Sequence, residues 1–113
     1  MIITVPLPPS VNQAYATNWK TKRRFKSKPY SDWLAHCEFL VLNQGVVFTP
    51  GRVKVEYICG KPDKRRRDLG NLEKPLSDML VKCGLIEDDC KIDEIVMKWT
   101  DHINGVRVTV EAV

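Results

Sequence analysis

Hydrophobic positions along the chain recur with two different periods, and these divide it into six elements. Ile2 to Leu7 reads as a short strand that Pro8-Pro9 stops. After Pro29, the residues Trp33, Cys37, Leu40, Val41 and Gln44 recur at helical spacing, with Ser27 or Ser31 as cap and Gly45 as stop. They predict a helix over about residues 30–44, with Trp33 in its core-facing stripe. Val53, Val55, Tyr57 and Cys59 then alternate with Arg52, Lys54 and Glu56, the pattern of a half-buried strand that Gly60-Lys61-Pro62-Asp63 breaks. Leu69, Leu72, Leu76, Met79, Leu80 and Cys83 return to the helical period before Gly84. With Asn71 as N-cap and Pro75 in the first turn, a second helix runs over about 72–83. Ile92 to Thr100 reads as a strand with Ile95, Met97 and Trp99 on one face. Asn104-Gly105 reads as the hairpin turn into Val106, Val108 and Val110. Residues 10–28 carry neither period and read as a long, irregular polar loop.

The order β-α-β-α-β-β places the chain in the α/β class, α+β-like, with a mixed four-stranded sheet and two main helices. The second helix forms a right-handed crossover between parallel strands, and the last two strands form an antiparallel hairpin. The 113 residues form one expected domain over 1–113, with no internal repeat. No run of about 20 apolar residues predicts a membrane span, and Met1-Ile2-Ile3-Thr4-Val5 lacks the basic start of a secretory signal. Cysteines stand at 37, 59, 83 and 90. None forms a Cys-x-x-Cys pair, and His36 and His102 supply no zinc spacing. Buried free thiols in a reducing cytoplasm are the expectation.

Charge changes the picture more than composition does. The formal net charge is only +4, yet residues 1–67 hold 13 Lys/Arg against 4 Asp/Glu, and residues 68–113 hold 5 against 10. One basic block is Lys20, Lys22, Arg23, Arg24, Lys26 and Lys28, and the other is Lys61, Lys64, Arg65, Arg66 and Arg67. Either block alone is an ordinary solvated loop. Two in so short a chain favour a polyanion, with nucleic acid ahead of an anionic membrane because neither block lies on an amphipathic helix.

The second block runs directly into Asp68-Leu69-Gly70-Asn71-Leu72-Glu73-Lys74. Asn71, Lys74 and Asp78 share one helix face opposite the apolar stripe, and Asp88-Asp89 follow the helix. Taken singly, Asp68 is a helix cap, Lys74 a solvated face residue, Asp88-Asp89 a solvated turn, and the arginines a phosphate-binding run. If the acids converge, carboxylate oxygens suit Mg²⁺, Lys74 neutralises charge on phosphate oxygens, and the arginines hold the backbone.

Pro62 to Lys74, continuing through Asp78 and Gly84-Leu85-Ile86-Glu87-Asp88-Asp89, resembles the RusA family of Holliday junction resolvases. Pro8-Pro9-Ser10-Val11-Asn12 resembles that family's N-terminal signature. The resemblance implies a small homodimeric endonuclease of bacteria and phages, cytoplasmic and serving DNA recombination and repair. Such an enzyme uses Mg²⁺ and nicks opposing strands of a four-way DNA junction. It assigns Asp68 and Asp89 as metal-binding catalytic acids, Lys74 as a catalytic lysine, and Asp88 as a further metal candidate. Asn71 and Arg67 line the site. Asn12, Lys22, Arg23, Arg24, Lys64, Arg65 and Arg66 join them as the expected DNA-binding set. The family motif reads Asp-x-Asp-Asn, so Gly70 stands where a metal-binding acid belongs. Three readings stay open: an engineered inactive form, a natural binding-only variant, or a divergent enzyme that uses Asp88.

Two functions from different classes follow. One is a metal-dependent junction resolvase impaired by Gly70, and the other is a branched-DNA-binding protein that does not cut. RNA binding is weaker, because Tyr57 and Trp99 fall on apolar faces and form no stacking platform.

Overall fold

The computed structural model describes all 113 residues. Strand β1 (Ile2–Val5) is followed by a one-turn helix α1 (Val11–Ala14) and a small hairpin of β2 (Tyr15–Asn18) and β3 (Arg23–Lys26). Helix α2 (Lys28–Gln44) leads to β4 (Val53–Gly60), then α3 (Glu73–Lys82), β5 (Ile92–Thr100) and β6 (Val106–Ala112). The main sheet is four-stranded and mixed, in the order β1-β6-β4-β5. The crossover through α3 makes β4 and β5 parallel, while β6 is antiparallel to both β1 and β4.

One face of the sheet carries the core. Ile3, Val5, Val53, Val55, Tyr57, Cys59, Val106, Val108 and Val110 are all buried there. They pack against Tyr30, Trp33, Leu34, Cys37 and Val41 of α2 and Leu76, Met79 and Leu80 of α3. The strict alternation along β4 and β6 is what allows one face to be apolar throughout. Ser27 caps α2, accepting a hydrogen bond from the Tyr30 N–H at 3.3 Å, and Gly45 ends it at φ +65°. The Trp33 indole N–H donates to the Pro6 carbonyl at 2.9 Å, which fastens the chain after β1 to α2. Cys37 and Cys59 are buried, and burial pushes the Cys37 thiol up to about 12. Cys90 is exposed, unlike the buried thiols expected.

Three sequence expectations are corrected. First, β5 and β6 are not a hairpin, because β4 lies between them and pairs with both. The Asn104-Gly105 turn forms, with Gly105 at φ +78°, but it carries the chain over the end of β4. The Gly60 N–H donates to the Gly105 carbonyl at 2.7 Å, and a Cβ on Gly60 would lie 2.1 Å from the Ile103 carbonyl oxygen. β6 presents three fully buried valines and takes a central place. β5 carries Asp93, Glu94, Lys98 and a 41% exposed Ile95, which suit an edge.

Second, residues 10–28 are not irregular. The Asn18 carboxamide oxygen accepts from the Lys20 N–H at 3.0 Å and the Thr21 N–H at 3.4 Å, an Asx-type turn that closes the β2–β3 hairpin.

Third, Asn71 does not cap the second helix. Leu69–Leu72 form a 3₁₀ turn, and α3 begins at Glu73. Capping at Asn71 would place Pro75 fourth, where its N–H would be the first needed by the helix. Starting at Glu73 makes Pro75 third, where no N–H is required.

Candidate DNA-binding and catalytic site

Helix α3 lies between two clefts that hold the candidate acids Asp68, Asp88 and Asp89. At its N-terminal end, the second basic loop meets the segment after β1. Arg66, Arg67, Asp68 and Asn71 line this cleft with Ser10, Gln13 and Trp99. The chain reaches it in extended conformation at Asp68, and the Asn71 N–H donates to the Asp68 carbonyl at 3.2 Å. Gly70 is the second residue of the 3₁₀ turn. A Cβ placed on it meets nothing within 4 Å, so neither space nor backbone angle demands glycine there.

The other cleft flanks the C-terminal half of α3 and is lined by Lys26, Asp78, Val81, Lys82, Asp88 and Asp89. The Asp88 carboxylate accepts from the Cys90 N–H at 3.3 Å. The Asp88 and Asp89 carboxyl groups act on each other. That interaction, with the nearby Asp78 charge, raises the pKa of Asp89, and Asp88 is correspondingly lowered.

Lys74 and Asp78 join the two clefts along one face of α3, with Lys74 Nζ 3.4 Å from Asp78 Oδ2. The same Asp78 oxygen accepts the Tyr15 hydroxyl hydrogen bond. Lys74 Nζ lies 5.4 Å and the Arg24 guanidinium 4.9 Å from the Tyr15 ring centre, within cation–π range. Tyr30 meets that ring edge-on at 5.3 Å. Tyr15 therefore docks the basic hairpin onto the helix that carries Lys74. Below this surface, the Tyr57 hydroxyl and Ser77 Oγ lie 2.8 Å apart, and Ser77 donates to Glu73 Oε1 at 2.8 Å. This chain of hydrogen bonds ties the start of α3 to the centre of the sheet.

The cations fall into two kinds. Asp63 accepts from Arg65 Nε at 3.1 Å and from Arg67 Nη2 at 2.8 Å. The Arg67 guanidinium holds its carboxyl well below the usual carboxylate range. This clamp shapes the second basic loop. Lys61, Lys64 and Arg66 make no ion pair within the chain, and neither do Lys20, Lys22, Arg23, Arg24 and Lys26 of the hairpin. Exposed and unpaired cations on two loops suit phosphate oxygens.

A family model described as endodeoxyribonuclease RusA matches residues 6–111. The chain belongs to the RusA family. It is 37% identical over 92 residues to the crossover junction endodeoxyribonuclease RusA of Escherichia coli K12, covering 80% of this chain and 74% of that protein. It is 32% identical over 107 residues to the rusA protein of Enterobacteria phage HK97, covering 92% and 82% of the two chains. The corresponding protein of Enterobacteria phage 82 is 37% identical over 92 residues, covering 80% and 74%.

Within this RusA chain, Asp68, Asn71, Arg66, Arg67 and the Gly70 backbone stand at one end of α3, and Asp88 and Asp89 stand beside its other half. Arg65 and Lys64 lie on the basic loop next to the first cleft, and Asn12 is exposed on α1. Lys22, Arg23 and Arg24 belong to the hairpin, which reaches the second cleft through Lys26. No group of three or more His, Cys, Asp or Glu comes together closely enough to hold a metal ion. No helix is long and apolar enough to cross a membrane. Sequence reasoning missed the Tyr15–Asp78 contact and Trp99 as a wall of the Asp68 cleft. The one available signal for the first was a Tyr placed three residues after the Pro-Pro-Ser-Val-Asn segment.

Proposed function

We propose that this chain recognises four-way junction DNA as a homodimer, and that it descends from a Mg²⁺-dependent junction-resolving endonuclease whose chemistry Gly70 has weakened. The observation that carries the reading is the placement of unpaired cations around the acidic clefts. Lys26 shares a cleft with Asp78, Asp88 and Asp89, and Arg66 shares one with Asp68. Acids that lie within a basic surface can approach a phosphodiester that they would otherwise repel. The second reading, a protein that binds branched DNA without cutting, is favoured by glycine, which supplies no carboxylate, at position 70. A strand-cleavage assay with and without Mg²⁺, using a labelled four-way junction against a linear duplex, separates the two. Slow Mg²⁺-dependent nicking restricted to the junction supports the impaired enzyme. Tight junction binding without nicking supports the binder, and equal affinity for junction and duplex refutes both.

The Arg65→Ala/Arg66→Ala variant is expected to weaken junction binding and flatten its salt dependence. Each phosphate contact contributes about 0.9 to the slope of log K against log salt, so the slope should fall by about one to two. Arg66 has no partner within the chain, while Arg65 is held by Asp63, so Arg66 should account for most of the change.

Support for a dimer comes from apolar residues that the fold leaves uncovered. Phe39 and Leu42 on the outer side of α2 are 63% and 82% exposed, and Val47 and Phe48 just beyond its end are 75% and 47% exposed. A two-fold dimer places the same patch on both partners and offers two sites to a nearly two-fold junction. The expected result for Leu42→Glu is a shift to the 13.0 kDa single-chain species in sedimentation, with folding unaffected because Leu42 contributes little to the core.

A further inference from the structure

We propose that Trp19, at the tip of the β2–β3 hairpin, stacks on bases exposed where the strands of a branched DNA exchange. The inference rests on the reading above that the ligand is branched DNA, and it assigns one residue to recognition of the branch itself.

Trp19 is 84% exposed, the highest exposure among the large hydrophobic side chains, whereas Trp33 is 7% exposed in the core. It opens the turn between β2 and β3, and the residues around it are Lys20, Lys22, Arg23 and Arg24. None of these is paired with an acid. A large flat apolar ring among unpaired cations is a poor surface for another apolar protein face. It matches a nucleic-acid strand, where aromatic bases alternate with phosphates.

The hairpin also holds the ring in position. The Asn18 carboxamide fixes the turn from within through the Lys20 and Thr21 N–H groups. At the root, the Ser27 N–H donates to the Ala14 carbonyl at 2.8 Å, and Tyr15 is bound to Asp78 and packed on Tyr30. Four paired residues on each strand carry the tip about 13 Å beyond that root. Lys26 at the root lines the acidic cleft, so the indole stands about four base steps from a phosphate held there.

A continuous duplex offers no base face to such a ring, because every base is already stacked. A strand-exchange point interrupts the stack, and there an indole can lie on a base without the cost of opening the helix. Trp19 should therefore contribute to the preference for branched over linear DNA, while the surrounding cations contribute affinity to both.

The test compares the unmodified chain with Trp19→Ala and Trp19→Phe, on a four-way junction and a linear duplex, without divalent metal so that no strand is cut. Trp19→Ala is expected to lower junction affinity by about 5- to 150-fold, the range for one stacked base. Duplex affinity and the slope against salt should stay unchanged, since no charge is lost. Trp19→Phe should retain most of the affinity. The emission of 2-aminopurine placed at the branch should change on binding the unmodified chain and not on binding Trp19→Ala. Equal losses on junction and duplex overturn the proposal, as does unchanged junction affinity in Trp19→Ala. If the unmodified chain itself fails to prefer the junction, the functional reading fails instead. If it prefers the junction while 2-aminopurine stays silent, Trp19 alone is refuted.

Discussion

Gly70→Asp is expected to cut a four-way junction in Mg²⁺ at least about 100-fold faster than the unmodified chain, the scale on which one well-placed charged group acts in catalysis. Junction affinity should change little, because the arginines, Lys74 and the basic hairpin are untouched. The substitution should also fold, since its Cβ meets no atom within 4 Å and the backbone angle there is not left-handed. The new carboxylate would stand two residues from Asp68 and next in sequence to Asn71, both of which line the cleft with Arg66 and Arg67. Mg²⁺ commonly takes one or two carboxylates and fills its remaining positions with water and substrate phosphate. Two acids beside phosphate-holding arginines would meet that need. Asp89→Asn in the same background then decides whether the acid beside the other half of α3 belongs to the centre. Loss of cleavage places it there, and retained cleavage assigns it to the separate cleft. If Gly70→Asp brings no gain while the unmodified chain already cuts well, the catalytic acids are Asp88 and Asp89, and the Asp68 cleft only binds.

Gly60→Ala is expected to lower folding stability by about 3 kcal/mol or more, measured as a fall in the urea midpoint. The added methyl would stand 2.1 Å from the Ile103 carbonyl oxygen and 3.1 Å from that of Gly105. Backbone, unlike the end of a flexible side chain, cannot turn aside. Relief requires the whole 101–105 connection to lift, which would break the hydrogen bond from Gly60 to Gly105. Gly70→Ala is the matched control. It adds the same methyl in open space and should change stability by less than about 0.5 kcal/mol.

These two glycines also mark what the sequence could convey. Gly70 stood out because a specific motif surrounds it. Gly60 read only as a strand breaker, because the connection that crosses it lies more than 40 positions away in sequence. The elements with clear periods were legible: the stripe from Trp33 to Val41, the alternation of β4, and Leu76 to Leu80 of α3. The β2–β3 hairpin was not. Arg23, Arg24, Phe25 and Lys26 are all exposed, so no alternation of buried and solvated positions exists to be read. The hairpin is held instead by a local Asn18 turn and a distant Tyr15–Asp78 contact. Strand order was equally out of reach. Asn104-Gly105 specifies a local reversal of the chain, but which neighbour β6 joins depends on where its three valines find cover. For the site, residue types and spacing singled out candidate acids and cations. Their division between two clefts follows from the length of α3, which the motif does not encode.

The position of β6 constrains the order in which this molecule can be assembled. Residues 106–112 form a central strand whose neighbours, β1 and β4, lie near the beginning and middle of the chain, and the Met1 ammonium donates to the Val110 carbonyl at 2.9 Å. Until those residues leave the ribosome, β1 has no partner and β4 keeps one edge open. The valine-lined core is incomplete throughout that time, and long-range closure of this kind is slow. A chain shortened by its last eight residues should therefore lose the whole sheet rather than one edge of it.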